Sequence, residues 1–229
     1  MFKLLSFDVY GTLMDTPPAS AAAFRSILDS AGASHVDAVP FYQYWEERNI
    51  AHYYEPYRSY REIGRISLGE AFRHFGVAAG DAELIDRYFE SFAKMKPYPD
   101  VVPTFEKLAA KYRIALVSNI DDDLLAATPV PAGADLICTA ERARGYKPDG
   151  TLFRYLIANS GVAVPEILHS GQSQFTDMVG GKPLGLTVAW INRRGIALHA
   201  SVPRPNHIFP GIDSLLPLLD NLGCTSGPT

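Results

Sequence analysis

Apolar positions in this chain fall into two kinds of pattern. Short continuous runs occur at residues 2–7 (FKLLSF), 113–118 (RIALVS), 134–138 (ADLIC), 166–170 (EILHS) and 186–191 (LTVAWI). A continuous apolar run of this length, closed by turn residues, suits a strand buried on both faces rather than a half-exposed one. Segments of helical length, such as 101–111 and 149–160, separate the later runs. Strands alternating with helices predict βαβ units, and so an α/β core with a parallel sheet and helices on both faces.

Residues 17–97 follow the other pattern. Phe41, Tyr44, Trp45 and Arg48 recur at helical spacing, as do Leu68, Phe72 and Phe75, and no convincing strand is visible. Pro17-Pro18 opens this stretch and KPYPD (96–100) closes it. The expected organisation is a catalytic core built from 1–16 and 98–229, with 17–97 inserted after the first strand as a helical cap. The Gly-, Ser- and Thr-containing tail from Cys224 onward is expected to fray.

In an open α/β sheet, ligands bind beyond the carboxyl ends of the strands. Strand ends here carry Asp8, Ser118-Asn119 and Gly171-Gln172-Ser173. Polar groups therefore converge on one edge, under the cap.

Composition narrows the partners. The 229 residues are 47% hydrophobic and 20% charged, which is globular, and the net charge of -4 comes with no basic run. Nucleic acid and anionic lipid are therefore not expected partners. No stretch approaches the ~20 apolar residues that span a membrane, and the N-terminus is not built as a signal peptide. Cys138 and Cys224 form neither a metal pair nor a redox motif. A cytoplasmic location is expected.

Taken singly, the strand-end residues each have an ordinary explanation. Asp8, followed by VYGTL, can act as a nucleophile if its charge is matched and water is held off, but an Asp there can also cap a loop. Gly11 permits a tight turn, so the amides of 9–12 are expected to face Asp8 or a ligand, with Thr12 adding a hydroxyl. Ser118 and Asn119 suit an anion pocket or an ordinary turn. Lys147, in GYKPDG, could keep Asp8 ionised, although most lysines are exposed. Asp177 could hold Lys147, position water or bind a metal, or simply lie on a helix face. Asp121, Asp122 and Asp123 read as a helix start, and His52 and His169 as structural.

Their order is more informative than any one of them. DVYGTL after an apolar strand, then SN, YKPDG, GQSQFTD and WINR resemble the four motifs of the haloacid dehalogenase superfamily. The resemblance covers the whole chain and implies a Rossmann-like core with an inserted cap. It further implies Asp8 as a nucleophile that forms an aspartyl ester, Thr12 in contact with it, Ser118 and Asn119 as the second motif, Lys147 as the third and Asp177 as the last acid of the fourth.

Departures from the family pattern discriminate among its reactions. Phosphatases of the superfamily usually carry a second Asp two residues after the nucleophile as a general acid; here that position is Tyr10. They usually have an acid after the motif-four glycine to help hold Mg²⁺; here it is Gln172. Halide departure needs neither. The chain is therefore most similar to the type II L-2-haloacid dehalogenases, which implies a small organic acid as substrate and no cofactor. Tyr10, Thr12, Ser118, Asn119, Gln172 and Ser173 then line the substrate site. Two departures cut the other way: that branch places an arginine early in the cap, where Glu46 stands here, and its motif-four Ser and Asn are replaced here by Gln172 and Gln174. Arg48 and Arg58, or Arg61, are the cap arginines that could substitute. A Mg²⁺-dependent phosphatase, with metal on Asp8 and Asp177, is the first alternative, and a non-catalytic anion- or partner-binding relative the second. A homodimer is compatible with the sequence, but no interface is readable in it.

Overall fold

The computed structural model describes residues 1–224; the tail beyond Cys224 lies outside them. Eight strands run in chain order: β1 (Leu4–Phe7), β2 (Met14–Asp15), β3 (Lys96–Pro97), β4 (Arg113–Ser118), β5 (Leu136–Thr139), β6 (Ile167–Gly171), β7 (Thr187–Ile191) and β8 (His207–Phe209). Six of them form one sheet in the order β5-β4-β1-β6-β7-β8, every pairing parallel.

Side-chain alternation splits the apolar residues between two faces. Leu5, Phe7, Ile114 and Leu116 join one cluster with Phe105 and Leu108 of helix α5 (Val101–Ala109). Leu4, Ala115 and Val117 join another with Leu152, Phe153 and Leu156 of helix α7 (Thr151–Ser160). Both faces are covered, which is why the strands read as continuous apolar runs.

Two expectations need correction. The third core strand starts at Leu136, not 134, because the Asp135 carboxylate accepts the Ile114 amide (2.8 Å) just ahead of the ladder. The edge strand β8 was not expected: three residues, none fully buried, give no periodic signal.

The inserted stretch carries α1 (Pro17–Ser30), α2 (Ala38–His52), α3 (Tyr60–His74) and α4 (Asp86–Ser91). Phe24, Phe41, Trp45, Phe72 and Tyr88 are buried among them, and Trp45 Nε1 donates to the Gly64 carbonyl at 3.1 Å. Helix α3 starts on a capping box in which Ser59 and Glu62 each satisfy the other's backbone amide. The stretch is not strand-free, however. Lys96–Pro97 pairs antiparallel with Met14–Asp15, so the outgoing and returning linkers are clasped together. A two-residue ladder containing proline shows no period in sequence.

Candidate active site

Strand β1 lies at the centre of the sheet, between β4 and β6, where the chain switches direction across it. Phe7 sits level with Leu116 and Ser170, and the Asp8 amide donates to the Ser170 carbonyl at 2.9 Å. Asp8 is thus the first residue past the central strand, and it is buried. Gly11, with φ of +81°, turns the chain back. The amides of Gly11 and Thr12 donate to the Met14 and Val9 carbonyls. This corrects the expectation that they face the nucleophile: they close the turn instead. Thr12 compensates with its side chain, donating Oγ1 to Asp8 Oδ2 at 2.6 Å and accepting the Gln172 amide at 2.8 Å.

Lys147 is 1% exposed. Its Nζ donates to Asp8 Oδ1 and to Asp177 Oδ1, the latter at 2.9 Å. Asn119, at the end of β4, fixes the lysine's backbone by accepting its amide at 2.9 Å. Asp177 is fully buried, and its second oxygen accepts the Ser173 amide at 2.9 Å. Gly171 makes that approach possible, since a Cβ there would collide with the Asp177 carboxyl. Residues Gln174–Met178 wind as a π-helical turn, a distortion that recurs at functional sites.

The chain of contacts extends behind the site. His169 Nε2 lies 3.1 Å from Asp177 Oδ1 and its Nδ1 lies 3.0 Å from Ser6 Oγ. An ionised Asp177 only accepts, so Nε2 carries the hydrogen of that bond. Burial alone would raise Asp177, but Lys147 and then His169 outweigh it and bring it to about 2. Asp8 moves the other way: burial, aided by the like charge of Asp177, raises it against the pull of Lys147 and Thr12. For Lys147, burial alone would discharge the amine, but Asp177 and Asp8 hold it protonated and push its pKa up.

The remaining expected residues divide into two groups. Ser118 is fully buried at the end of β4, and its hydroxyl has no hydrogen-bond partner among the described residues. Gln172 is half-buried, and the end of its side chain lies over Gly11. Ser173 meets Asp177 through its backbone. Tyr10 packs on Phe92 at 5.0 Å between ring centres. Its hydroxyl is 2.8 Å from Thr128 Oγ1, and because Thr128 gives its own hydrogen to the Leu124 carbonyl, Tyr10 is the donor. Burial raises the Tyr10 phenol further above its ordinary value.

The cap arginines belong to the second group. Arg48 pairs with Glu70 at 2.7 Å and Arg58 with Glu55 at 2.6 Å, while Arg61 pairs with Asp123 at 2.6 Å. Each has a nearby carboxylate on the surface of the molecule, so the expectation that Arg48 or Arg58 faces Asp8 is not met. His52 likewise lies beside Glu55 and Glu70.

Two residues play parts that their place in the sequence did not indicate. Asp121 is buried and accepts the Tyr60 and Arg61 amides at 2.8 and 3.0 Å, so a core carboxylate holds the first turn of cap helix α3. Arg193 donates Nε to the Thr12 carbonyl at 2.8 Å, pairs through both terminal nitrogens with Asp100, and stacks over Tyr98 at 3.9 Å. The pairing of Arg193 with Asp100 crosses 93 residues, which no local pattern reveals. Among the described residues, no group of three or more His, Cys, Asp or Glu is placed to hold a metal ion.

A profile described as haloacid dehalogenase-like hydrolase matches residues 5–191, covering all four strand-end motifs. The chain is a haloacid dehalogenase-like hydrolase. Among relatives of this hydrolase, the (S)-2-haloacid dehalogenase of Xanthobacter autotrophicus is 25% identical over 203 residues, 84% of this chain and 76% of that protein. Human N-acylneuraminate-9-phosphatase is 24% identical over 97% of this chain and 95% of its own. The fold is shared with the solved L-2-haloacid dehalogenase from Xanthobacter autotrophicus, with a TM-score of 0.81 at 20% identity over 97% of this chain and all of that one. The sheet and the cap of this hydrolase thus agree with the fold expected from its motifs. No helix among the described residues is long and apolar enough to cross a membrane.

Proposed function

We propose that this hydrolase cleaves the carbon–halogen bond of a small 2-haloacid, with Asp8 as the nucleophile. Attack by an Asp8 carboxylate oxygen on C2 forms a C–O bond as the carbon–halogen bond breaks, and halide leaves with the electron pair. Lys147 keeps Asp8 ionised for this step and stays beside it in the ester. Water then adds to the Asp8 carbonyl carbon, and cleavage of the acyl C–O bond returns the Asp8 carboxylate and a 2-hydroxy acid. Asp177 Oδ2 carries one protein hydrogen bond and has an acceptor site left for that water. A carboxyl titrating near 2 is a weak base, which favours placing the water over deprotonating it. Ser118 supplies an unpartnered hydroxyl at the end of β4. Leaving a buried hydroxyl unsatisfied costs about 1–3 kcal/mol, which favours a ligand partner there.

The observation that carries this reading is Tyr10. It stands where a phosphatase needs an acid for its leaving alcohol, and its hydroxyl is already given to Thr128. Halide needs no proton to depart. The residues also do not suit Mg²⁺. Both site carboxylates are engaged by Lys147, Thr12, His169 and the Ser173 amide, and Gln172 offers no charge where a third acid would help a hard cation. No step here runs through a metal.

The test is halide release from 2-chloropropionate in the presence of chelator. It is expected in the unaltered chain and lost in Asp8→Asn. Chelator-sensitive release of phosphate from p-nitrophenyl phosphate, with no halide from any 2-haloacid, would overturn the proposal.

A further inference from the structure

The crevice above Asp8 contains more negative than positive charge. Asp8 and Asp177 share the single Lys147, and Glu46 of cap helix α2 stands near enough to Arg194 of the core to feel its charge. Protein crowding raises the Glu46 carboxyl although water still reaches the side chain, while the Tyr42 hydroxyl, at 3.0 Å, and Arg194 pull it down. A carboxylate substrate entering there needs a cation not already neutralised. Lys147 is held by two carboxylates, Arg193 by Asp100, and the cap's Arg48, Arg58 and Arg61 by Glu70, Glu55 and Asp123. Arg144 lies over the Tyr57 ring at 4.1 Å.

Arg194 differs from all of these. It lies in a tight loop after β7, where the Asn192 side chain both donates to the Ile196 carbonyl and accepts the Ile196 amide. Arg193 ties the same loop to the Thr12 carbonyl. Arg194 is therefore displayed from a fixed base beside the turn that carries the nucleophile. Its Nε and Nη2 lie 3.1 and 2.6 Å from the Gln172 side-chain oxygen, with the amide turned so that the oxygen faces the guanidinium. Gln172 lies over Gly11, three residues past Asp8. Among the described residues no carboxylate lies within ion-pair distance of Arg194. Gln172 takes one edge of the guanidinium and leaves the Nη1–Nη2 edge, whose two parallel N–H bonds match the two oxygens of a carboxylate.

We infer that Arg194, displayed by the core and oriented by Gln172, is the residue that receives the substrate's carboxylate, with Glu46 on the cap wall opposing it. This rests on the proposed reaction for its meaning but not for its test. The arginine belongs to the core, so the anion site is carried by the same part of the chain as the nucleophile. Glu46 repels a carboxylate, and removing its charge should help binding.

Calorimetric titration with propionate, an unreactive probe, separates the possibilities. Arg194→Gln should weaken propionate binding by about tenfold or more and leave binding of neutral propionamide unchanged. Arg194→Lys should fall between, keeping charge but losing the paired donors. Glu46→Gln should bind propionate at least as tightly as the unaltered chain. The inference is overturned if Arg194→Gln binds propionate as tightly as the unaltered chain, if propionate and propionamide are weakened alike, or if the unaltered chain does not bind propionate. It is also overturned if Glu46→Gln weakens binding as Arg194→Gln does, for then the two residues form a cap latch. Halide release with an unchanged KM in Arg194→Gln would overturn this inference alone. Arg194-dependent propionate binding without halide release from any 2-haloacid would overturn only the reaction.

Discussion

Lys147 holds two buried carboxylates and, among the described residues, has no other polar partner for its amine. Lys147→Met should therefore abolish turnover and also destabilise the fold by about 3–5 kcal/mol, because removing one member of a buried ionic cluster leaves charge uncompensated. Urea denaturation checks this; a loss under about 1 kcal/mol would mean the carboxylates find other partners. The two acids respond to pH with opposite signs. Asp177 titrates near 2 in the folded chain against an ordinary 3.8, so its stabilisation is full above about 4 and drains away as pH falls toward 2. Asp8 is raised, so its ionisation subtracts stability as pH climbs through its folded value. The same raised value governs attack, which needs the carboxylate. The acid limb of the first-turnover halide burst should lie above 3.8, and Asp177→Asn should move it down by removing a like charge. Rapid-quench bursts across pH test this, and a limb that stays put or rises contradicts it.

At the scale of elements, the residues that meet at the sheet edge were legible because each follows a strand recognisable from its apolar run. Asp8, Asn119 and Gln172 follow buried strands and Ser118 ends one. What the pattern could not supply was side-chain direction on the cap. Arg48, Arg58 and Arg61 lie on helices or a cap turn at spacings that allow either face, and nearby carboxylates decided it. His169 shows the same limit from inside: an apolar strand position gave no sign of a partner eight residues on in a π-turn. Asp121 read as the start of a core helix, and α6 (Asp122–Ala127) does follow it, yet its carboxylate makes no bond there and instead caps α3 of the cap. Asp121→Ala should consequently cost about 1–2 kcal/mol, as lost caps do, and raise KM more than it lowers kcat by loosening the closed cap. Steady-state kinetics with 2-chloropropionate check the split; equal losses with unchanged KM would argue against a closing role.

For the molecule as a whole, the division into core and cap was readable as a change of period, from continuous runs to helical spacing and back. Pro17-Pro18 and KPYPD marked where the joint lies, but its strand pairing was not readable, because two residues on each side carry no period. Yet β2 and β3 are where the chain crosses from one part to the other. Since Met14–Asp15 and Lys96–Pro97 lie side by side, everything between them departs and returns through a single gateway. To the sheet, that excursion is equivalent to a hairpin turn, whatever its length, and the entropy of closing it grows only slowly as residues are added. A lid fastened in this way is a replaceable part. Exchanging its helices is expected to change which molecules are admitted while the contacts of Lys147 with Asp8 and Asp177 keep their place.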